Sequence, residues 1–315
     1  MKTKMKSNRT FGVEIEFTIR DTSPDQVAET LANYHDVRYE SYNHDTRPHW
    51  KIVSDSSCGY ELVSPILRGQ EGLDAMRNIV EMLEQTDGVS VNRECGIHVH
   101  VHMESYNPFQ IGNVLKYWSK YENEIDMVLP RSRRSHVGAR GNGYCLGLTQ
   151  RFESQRRDYG TQYENRETAR IQLFKEVGKL QKQWKDGNLS DHRCMNGYMR
   201  LFNTRYVTVN LESYARYGTL EFRQHSGSLN SEKIANWVCF VTNLVDRAIK
   251  TKFVQVSKDE STMKNFANIF GEQQSRTILR FFESRAIHFG FGGASVYDTN
   301  GISGAYEHAT SMRRV

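Results

Sequence analysis

A chain of 315 residues is long enough to bury a full core, either as one large domain or as a core with an insertion. Apolar residues make up 38% of it and mean hydropathy is −0.66; no run approaches the roughly 18 apolar residues of a membrane span, which excludes a membrane-embedded reading. Lysine and arginine exceed aspartate and glutamate by 42 − 37 = 5, an excess that suits anionic ligands but does not by itself indicate nucleic acid.

The start Met1-Lys2-Thr3-Lys4-Met5-Lys6 is basic but no apolar run follows, so it does not read as a signal peptide. Phe11-Gly12-Val13-Glu14-Ile15-Glu16-Phe17 is the first expected strand, with Val13, Ile15 and Phe17 on one face and Glu14 and Glu16 on the other. Two like charges side by side repel; solvent exposure or a divalent cation would relieve them. Ser23-Pro24 opens a helix with Val27, Ala28 and Leu31 as its stripe. His35 to Pro48 reads as loop and edge strand, followed by a strand at Trp50–Asp55 and another at Tyr60–Pro65 that carries Glu61. A helix is expected from about Gln70 to Gln85.

Gly96-Ile97-His98-Val99-His100-Val101-His102 alternates apolar and imidazole side chains with the period of a half-buried strand. His98, His100 and His102 then share a face, as a solvated sheet surface or as ligands; His102 reads as a surface residue rather than a third ligand. Asn107-Pro108 caps a long helix whose stripe from Ile111 to Val128 is core.

Beyond Pro130 the composition changes. Residues 131–200 hold 15 Lys/Arg against 7 Asp/Glu, and Arg131, Arg133, Arg134, His136 and Arg140 crowd a glycine-bearing loop. That loop is either a solvated insertion or a lid whose arginines meet phosphate. Its glycines fit neither the P-loop nor the dinucleotide fingerprint. Gln150–Lys185 reads as mostly helical. Arg205–Leu211 and Gly218–His225 are expected as an antiparallel hairpin turning at Ser213–Gly218, with Glu221, Arg223 and His225 facing outward. A strong amphipathic helix starts near Ser231, shorter helices follow around Asn265 and Thr277, and the tail from Gly290 is rich in glycine and small polar residues. The five cysteines, Cys58, Cys95, Cys145, Cys194 and Cys239, lack CxxC spacing. They suggest a reduced, cytoplasmic protein in which Cys58 and Cys95 are small buried fillers.

The strands bring Glu14, Glu16, Glu61, His98, His100, Glu221 and Arg223 to polar faces. Several hard oxygen donors with an imidazole suit Mg²⁺ or Mn²⁺, and the excess of carboxylate argues against zinc. Carboxylates that hold two ions can neutralise a polyphosphate, and a nearby arginine can stabilise a phosphoryl group in transfer.

The segments Phe11–Glu16, Tyr60–Pro65, Cys95–His100 and Gly218–Arg223, in this order, resemble the amidoligase family, which is related to glutamine synthetase and glutamate–cysteine ligase and is common in phage and bacterial genomes. The resemblance implies an α+β fold: a curved, mainly antiparallel sheet with helices on its outer face, forming a glutamine synthetase-like catalytic domain over 1–250. Residues 131–200 would be a basic insertion or lid, and 251–315 a helical extension with a glycine-rich tail. It implies ATP-dependent joining of a carboxylate to an amine through an acyl phosphate. Glu14, Glu16, Glu61, His98 and Glu221 take the metal-ligand roles, His100 a nucleotide-phosphate contact and Arg223 a transition-state role. Arg205 and Asn210 would line the nucleotide or substrate side. His225-Ser226-Gly227-Ser228 stands where the family has H-x-G-T. His225 itself reads equally as a supporting residue or as a strand end.

Substrates would be small or polymer-bound carboxylates and amines, with no membrane partner and with nucleic acid only as a substrate carrier. The alternatives are a phosphagen-type kinase of the same fold group and a basic nucleic-acid-binding protein.

Overall fold

A computed structural model of the chain describes residues 2–134, 143–158, 160–256 and 272–290. It separates into two compact units, Met1–His102 with Glu221–Thr242, and Met103–Leu220 with Asn243–Val315.

The first unit is organised around β1 (Thr10–Ile19). After it come α1 (Pro24–Ala32), β2 (Val37–Tyr39), β3 (Trp50–Asp55), β4 (Gly59–Val63), β5 (Leu67–Arg68), α2 (Gly69–Gln85), β6 (Val89–Ser90) and β7 (Gly96–His102). Strand β9 (Thr219–Ser226) lies beside β7, giving the order β2-β3-β4-β1-β7-β9, while β5 and β6 pair with the two ends of β1. β2 and β3 pair in parallel, while β3–β4, β4–β1 and β1–β7 are antiparallel. A mostly antiparallel sheet together with helices is the α+β arrangement expected above.

Alternation fixes the two faces of the sheet. Val13, Ile15 and Phe17 of β1 and Ile97, Val99 and Val101 of β7 are at most 1% exposed. Burying each such side chain contributes about 1.5–3 kcal/mol, so a one-residue slip in register would be costly. The apolar stripes of α1 (Val27, Ala28, Leu31) and α2 (Leu73, Met76, Ile79, Val80, Leu83) are buried in the same unit. Helix α1 starts where expected: Ser23 Oγ accepts from Gln26 N, and the Gln26 side chain accepts from Ser23 N, a reciprocal cap.

The second unit holds α3 (Pro108–Met127), α4 (Leu148–Asp158), α5 (Arg166–Lys185), α6 (Asp191–Phe202), β8 (Val209–Asn210), α7 (Glu212–Tyr217) and α9 (Glu272–His288). Asn107 and Gln110 form a second reciprocal cap at the start of α3. Helix α8 (Ser231–Lys250) has the amphipathic face expected of it, with Ile234, Trp237, Val238, Val241, Leu244, Val245 and Ala248 all fully buried. Among the described residues, no helix is long and apolar enough to cross a membrane.

Three expectations need correction. The strand Arg205–Leu211 shrinks to Val209–Asn210, and the expected turn of the hairpin is the helix α7. The polar residues of that stretch are not outward: Thr208 and Asn210 are 0% and 4% exposed. Thr208 Oγ1 accepts from Trp118 Nε1 at 3.0 Å, and Asn210 Oδ1 accepts from Glu212 N at 2.9 Å. Side-chain bonds to nearby backbone compete with a strand ladder, and here they start a helix. Gly218, at φ +65°, ends that helix in the left-handed conformation that glycine adopts freely.

Second, Arg133 and Arg134 are buried in the second unit, and Arg134 Nε donates to Leu129 O at 3.0 Å, so these two are not solvated as the insertion reading of the loop had them. Third, Cys58 and Cys95 are buried as expected but are joined as a disulfide, while Cys145, Cys194 and Cys239 are buried thiols outside that bond. The helix expected around Asn265, the tail beyond Gly290, and His136, Gly138, Arg140 and Gly141 of the arginine loop lie outside the described residues.

Candidate active site

Residues paired in register across a sheet share a face. One row runs Lys51–Val63–Glu14–His98 across β3, β4, β1 and β7; the next runs Val53–Glu61–Glu16 across β3, β4 and β1; and His100 pairs with Gly12. The polar members of three distant segments therefore meet on the side opposite the apolar core. Strand β9 completes the group by bringing Glu221 to His98.

His98 is the hub. Its Nδ1 lies 2.9 Å from Glu14 Oε2 and 3.4 Å from Glu221 Oε1, and its Nε2 lies 3.4 Å from Glu16 Oε1. Two sets of three donors follow. Glu14, His98 and Glu221 offer ligand atoms within 4.8 Å of one another, and so do Glu16, Glu61 and His98. His100 Nε2 is 3.2 Å from Glu14 Oε1, and the Arg223 guanidinium pairs with Glu221. Gly96 N, at the start of β7, donates to Glu16 Oε2. His102 belongs to neither set of donors.

The site is mostly closed to water: the side chains of His98, Glu16 and Glu221 are 4%, 6% and 6% exposed. Burial acts to raise the Glu14 carboxyl, but the charges and hydrogen bonds of His100 and His98 outweigh it and hold Glu14 well below the usual carboxylate range. Glu221 is likewise lowered, with Arg223, His100 and His98 overcoming the effect of burial. Glu61 goes the other way. Burial, then the charges of Glu14, Glu16, Asp55 and Glu221, raise its carboxyl well above the usual value. His100 keeps its proton more firmly than a free histidine, because Glu14 and Glu221 outweigh both burial and Arg223.

Four carboxylates in so small a space are poorly served by two imidazoles and one guanidinium, and the crowding shows in the upward shift of the Glu61 carboxyl. Oxygen donors in this number, with one imidazole reaching both groups, fit a pair of hard divalent cations. They do not fit a closed tetrahedral zinc site, for which thiolates and more imidazoles would be needed.

Sequence reasoning missed Lys51. It shares the site face in the row of Glu14, it is 2% exposed, and burial lowers its ammonium from the ordinary lysine value. Its Nζ donates to Asn43 O, Asn43 Oδ1 and Asp45 O at 3.3, 2.5 and 2.8 Å, which holds the loop 40–49 against β3. The alternation Trp50-Lys51-Ile52 carried the signal, since the odd positions of that strand take the polar face. Arg205 and Asn210 belong to the second unit. Arg205 lies over the Tyr206 ring at 5.1 Å, and Asn210 Nδ2 donates to Ser213 Oγ at 3.2 Å. His225 is buried against Trp237, with ring centroids 5.0 Å apart, and its Nδ1 lies 2.6 Å from Ser226 O.

A mostly antiparallel sheet that gathers carboxylates and imidazoles from four strands onto one buried polar face defines an α+β protein with a candidate centre for divalent cations. A family model described as "putative amidoligase enzyme" matches residues 7–245. The chain belongs to that family, and so to a family of ligases. No protein of curated function matches it.

Proposed function

We propose that the protein is an ATP-dependent carboxylate–amine ligase with a glutamine synthetase-like fold, making an amide or isopeptide bond through an acyl phosphate. The observation that carries this reading is the single imidazole of His98 facing two groups of carboxylates. Glu14, His98 and Glu221 would hold one divalent cation, Mg²⁺ or Mn²⁺, and Glu16 and Glu61 a second; a neutral imidazole has one lone-pair nitrogen, so His98 ligates one ion and its other ring N–H supports the carboxylates of the second group. Cations bound there would neutralise polyphosphate charge and fix the geometry of phosphoryl transfer.

The side chains divide the remaining work. His100, whose proton Glu14 and Glu221 hold more firmly than in a free histidine, donates to an ATP phosphate. Arg223, oriented by its pairing with Glu221, stabilises the charge that develops as the γ-phosphoryl group passes to the substrate carboxylate. ADP leaves and an acyl phosphate remains. The amine then attacks the acyl carbon, the carbon–oxygen bond to phosphate breaks, and the nitrogen loses a proton as the amide forms. Water must be kept out, since it would hydrolyse the acyl phosphate; the low exposure of the site residues supports that. Arg205 and Asn210 take the nucleotide or substrate side. Residues 1–250 act as the catalytic domain with 131–200 as an insertion, and 251–315 as an extension. The substrates are small or polymer-bound, nucleic acid enters only as a carrier, and the reaction is cytoplasmic.

The test is ATP turnover with Mg²⁺ over a panel of carboxylates, with hydroxylamine as the amine. Hydroxamate and phosphate appearing only when carboxylate and amine are both present support the ligase. A phosphorylated nitrogen acceptor with no free phosphate would make the protein a phosphagen-type kinase. No turnover, with salt-sensitive nucleic-acid binding that survives chelation, would make it a nucleic-acid-binding protein.

A further inference from the structure

Cys58 and Cys95, 37 residues apart, are bonded to each other with their Cα atoms 5.3 Å apart. Neither takes part in the proposed chemistry, yet both adjoin it. Cys58 immediately precedes β4, three residues before Glu61, and Cys95 immediately precedes β7, three residues before His98. Strand β1, which supplies Glu16, lies between β4 and β7 in the sheet. The bond therefore ties together the two chain segments that bring Glu61 and His98 to either side of Glu16.

The two ends are held differently. Cys95 O accepts from Gly227 N at 2.6 Å, Cys95 N donates to Asn92 Oδ1 at 3.1 Å, and the next residue, Gly96, donates to the Glu16 carboxylate. Cys58 sits in the tight turn between β3 and β4, where its N donates to Asp55 Oδ1 at 2.8 Å, a contact within the same hairpin. The disulfide is thus a direct tie from the hairpin tip to the start of β7. Glu61, three residues from that tip, is also the carboxyl under the strongest like-charge crowding. Without the bond, repulsion from Glu14, Glu16 and Glu221 would favour movement of the hairpin away from them.

We propose that Cys58–Cys95 is a reversible redox clamp on the donor set Glu16, Glu61 and His98, closed when bonded and loosened when reduced. Its effect on cation binding rests on the metal reading given above. Cys58 is 8% exposed and Cys95 0%, so an incoming thiolate meets the Cys58 sulfur first. That attack forms a mixed disulfide at Cys58 and expels the Cys95 thiolate, which takes a proton. The second thiol of a dithiol reductant then attacks its own sulfur in the mixed disulfide, and the Cys58 thiolate leaves and is protonated. Two electrons and two protons reach the protein, and the dithiol becomes a cyclic disulfide.

The full chain is compared air-oxidised, reduced with dithiothreitol, and reoxidised. Alkylation should count three thiols in the oxidised protein, Cys145, Cys194 and Cys239, and five in the reduced one. On reduction, amide hydrogen exchange over 56–64 should accelerate by about 10-fold or more while α2 is unchanged, because only a local opening is released. Mn²⁺ titration should show one of two ions weakened by about 10-fold or more, the lower range for loss of a supporting contact at a metal site. Reoxidation should restore both. Cys58→Ser should behave as the reduced protein under either condition; should it fail to fold, the wild-type comparison still decides. Five alkylated thiols in the oxidised protein, exchange unaffected by reduction, or two Mn²⁺ affinities indifferent to it would each overturn the clamp. Absence of Mn²⁺ binding in every state would instead refute the metal reading, and faster exchange over 56–64 would then still support the clamp.

Discussion

Glu14 and Glu16, two residues apart on β1, approach opposite nitrogens of one ring: His98 Nδ1 is 2.9 Å from Glu14 and His98 Nε2 is 3.4 Å from Glu16. The E-x-E spacing is what makes this possible. Residues i and i+2 share a face about 6.6–6.8 Å apart along a strand, and an imidazole on the neighbouring strand spans that interval.

The arrangement separates the effects of two substitutions. His98→Ala removes the ligand of one ion and a supporting N–H from the carboxylates of the other, and should weaken two Mn²⁺ ions, the second by the roughly 10–100-fold that follows loss of a supporting partner and the first by more. Glu221→Ala removes a donor from one set and should weaken one ion only. Electron paramagnetic resonance titration with Mn²⁺ counts the ions directly. Equal loss in both variants would mean the two sets are not separate.

Arg223→Lys keeps the positive charge beside Glu221 but loses the planar fork. Nucleotide affinity should change by less than about threefold while the turnover rate falls about 10²–10³-fold, the range for loss of one preorganised donor to a developing charge. A binding assay beside single-turnover kinetics resolves the two. If affinity falls as far as rate, the guanidinium acts on the ground state instead.

Much of this site was legible because strand alternation is a strict code. Glu14, Glu16, His98, His100 and Glu221 each sit between apolar neighbours on their strands, so each face follows from period two. Glu61 was legible as a strand residue, but its raised carboxyl depends on which strand lies next to it, and register is not written in a single strand. The face of Lys51 was legible from the alternation of its strand, but its partners were not, because Asn43 and Asp45 come from a loop that folds back over it. The stretch Arg205–Leu211 failed because Thr208 and Asn210 look like outward polar residues and are instead buried donors and acceptors. Nothing local marks Trp118, 90 residues away, as the partner of Thr208. The Cys58–Cys95 pairing was hidden by the spacing rules themselves, which look for regular intervals.

Packing in the second unit gives a stability test independent of any activity. Gly112 on α3 lies beneath two polar groups: a Cβ there would stand 2.6 Å from Tyr198 Oη and 2.8 Å from Gln181 Nε2. Tyr198 donates to Pro108 O at 3.0 Å and Gln181 Nε2 donates to Phe109 O at 2.8 Å, so neither can retreat without breaking a buried bond. Gly112→Ala should therefore destabilise by about 1–3 kcal/mol, the cost of overpacking, despite alanine's better helix propensity. Urea unfolding measures it, and a stabilised variant would show that the helices yield.

The same interface makes stability depend on pH. Lys116 on α3 is 8% exposed, donates to Gln181 Oε1 at 2.6 Å and lies 6.0 Å from the Phe174 ring; burial pushes its ammonium down to about 8 from 10.5. Below pH 8 the folded and unfolded chains both carry the proton, and folding bears the cost of a buried charge. Between about 8 and 10.5 the unfolded chain keeps that proton and the folded chain gives it up, so this contribution to stability rises with pH. Lys116→Met has no such group. The stability of wild type relative to this variant should therefore increase by on the order of 2–3 kcal/mol between pH 7 and pH 10, read from urea unfolding of both proteins at each pH. The comparison cancels tyrosine and cysteine titrations common to the two chains, and whatever fixed cost the variant incurs at Gln181 does not change with pH. A difference that stays constant over that range would place the Lys116 ammonium in contact with water.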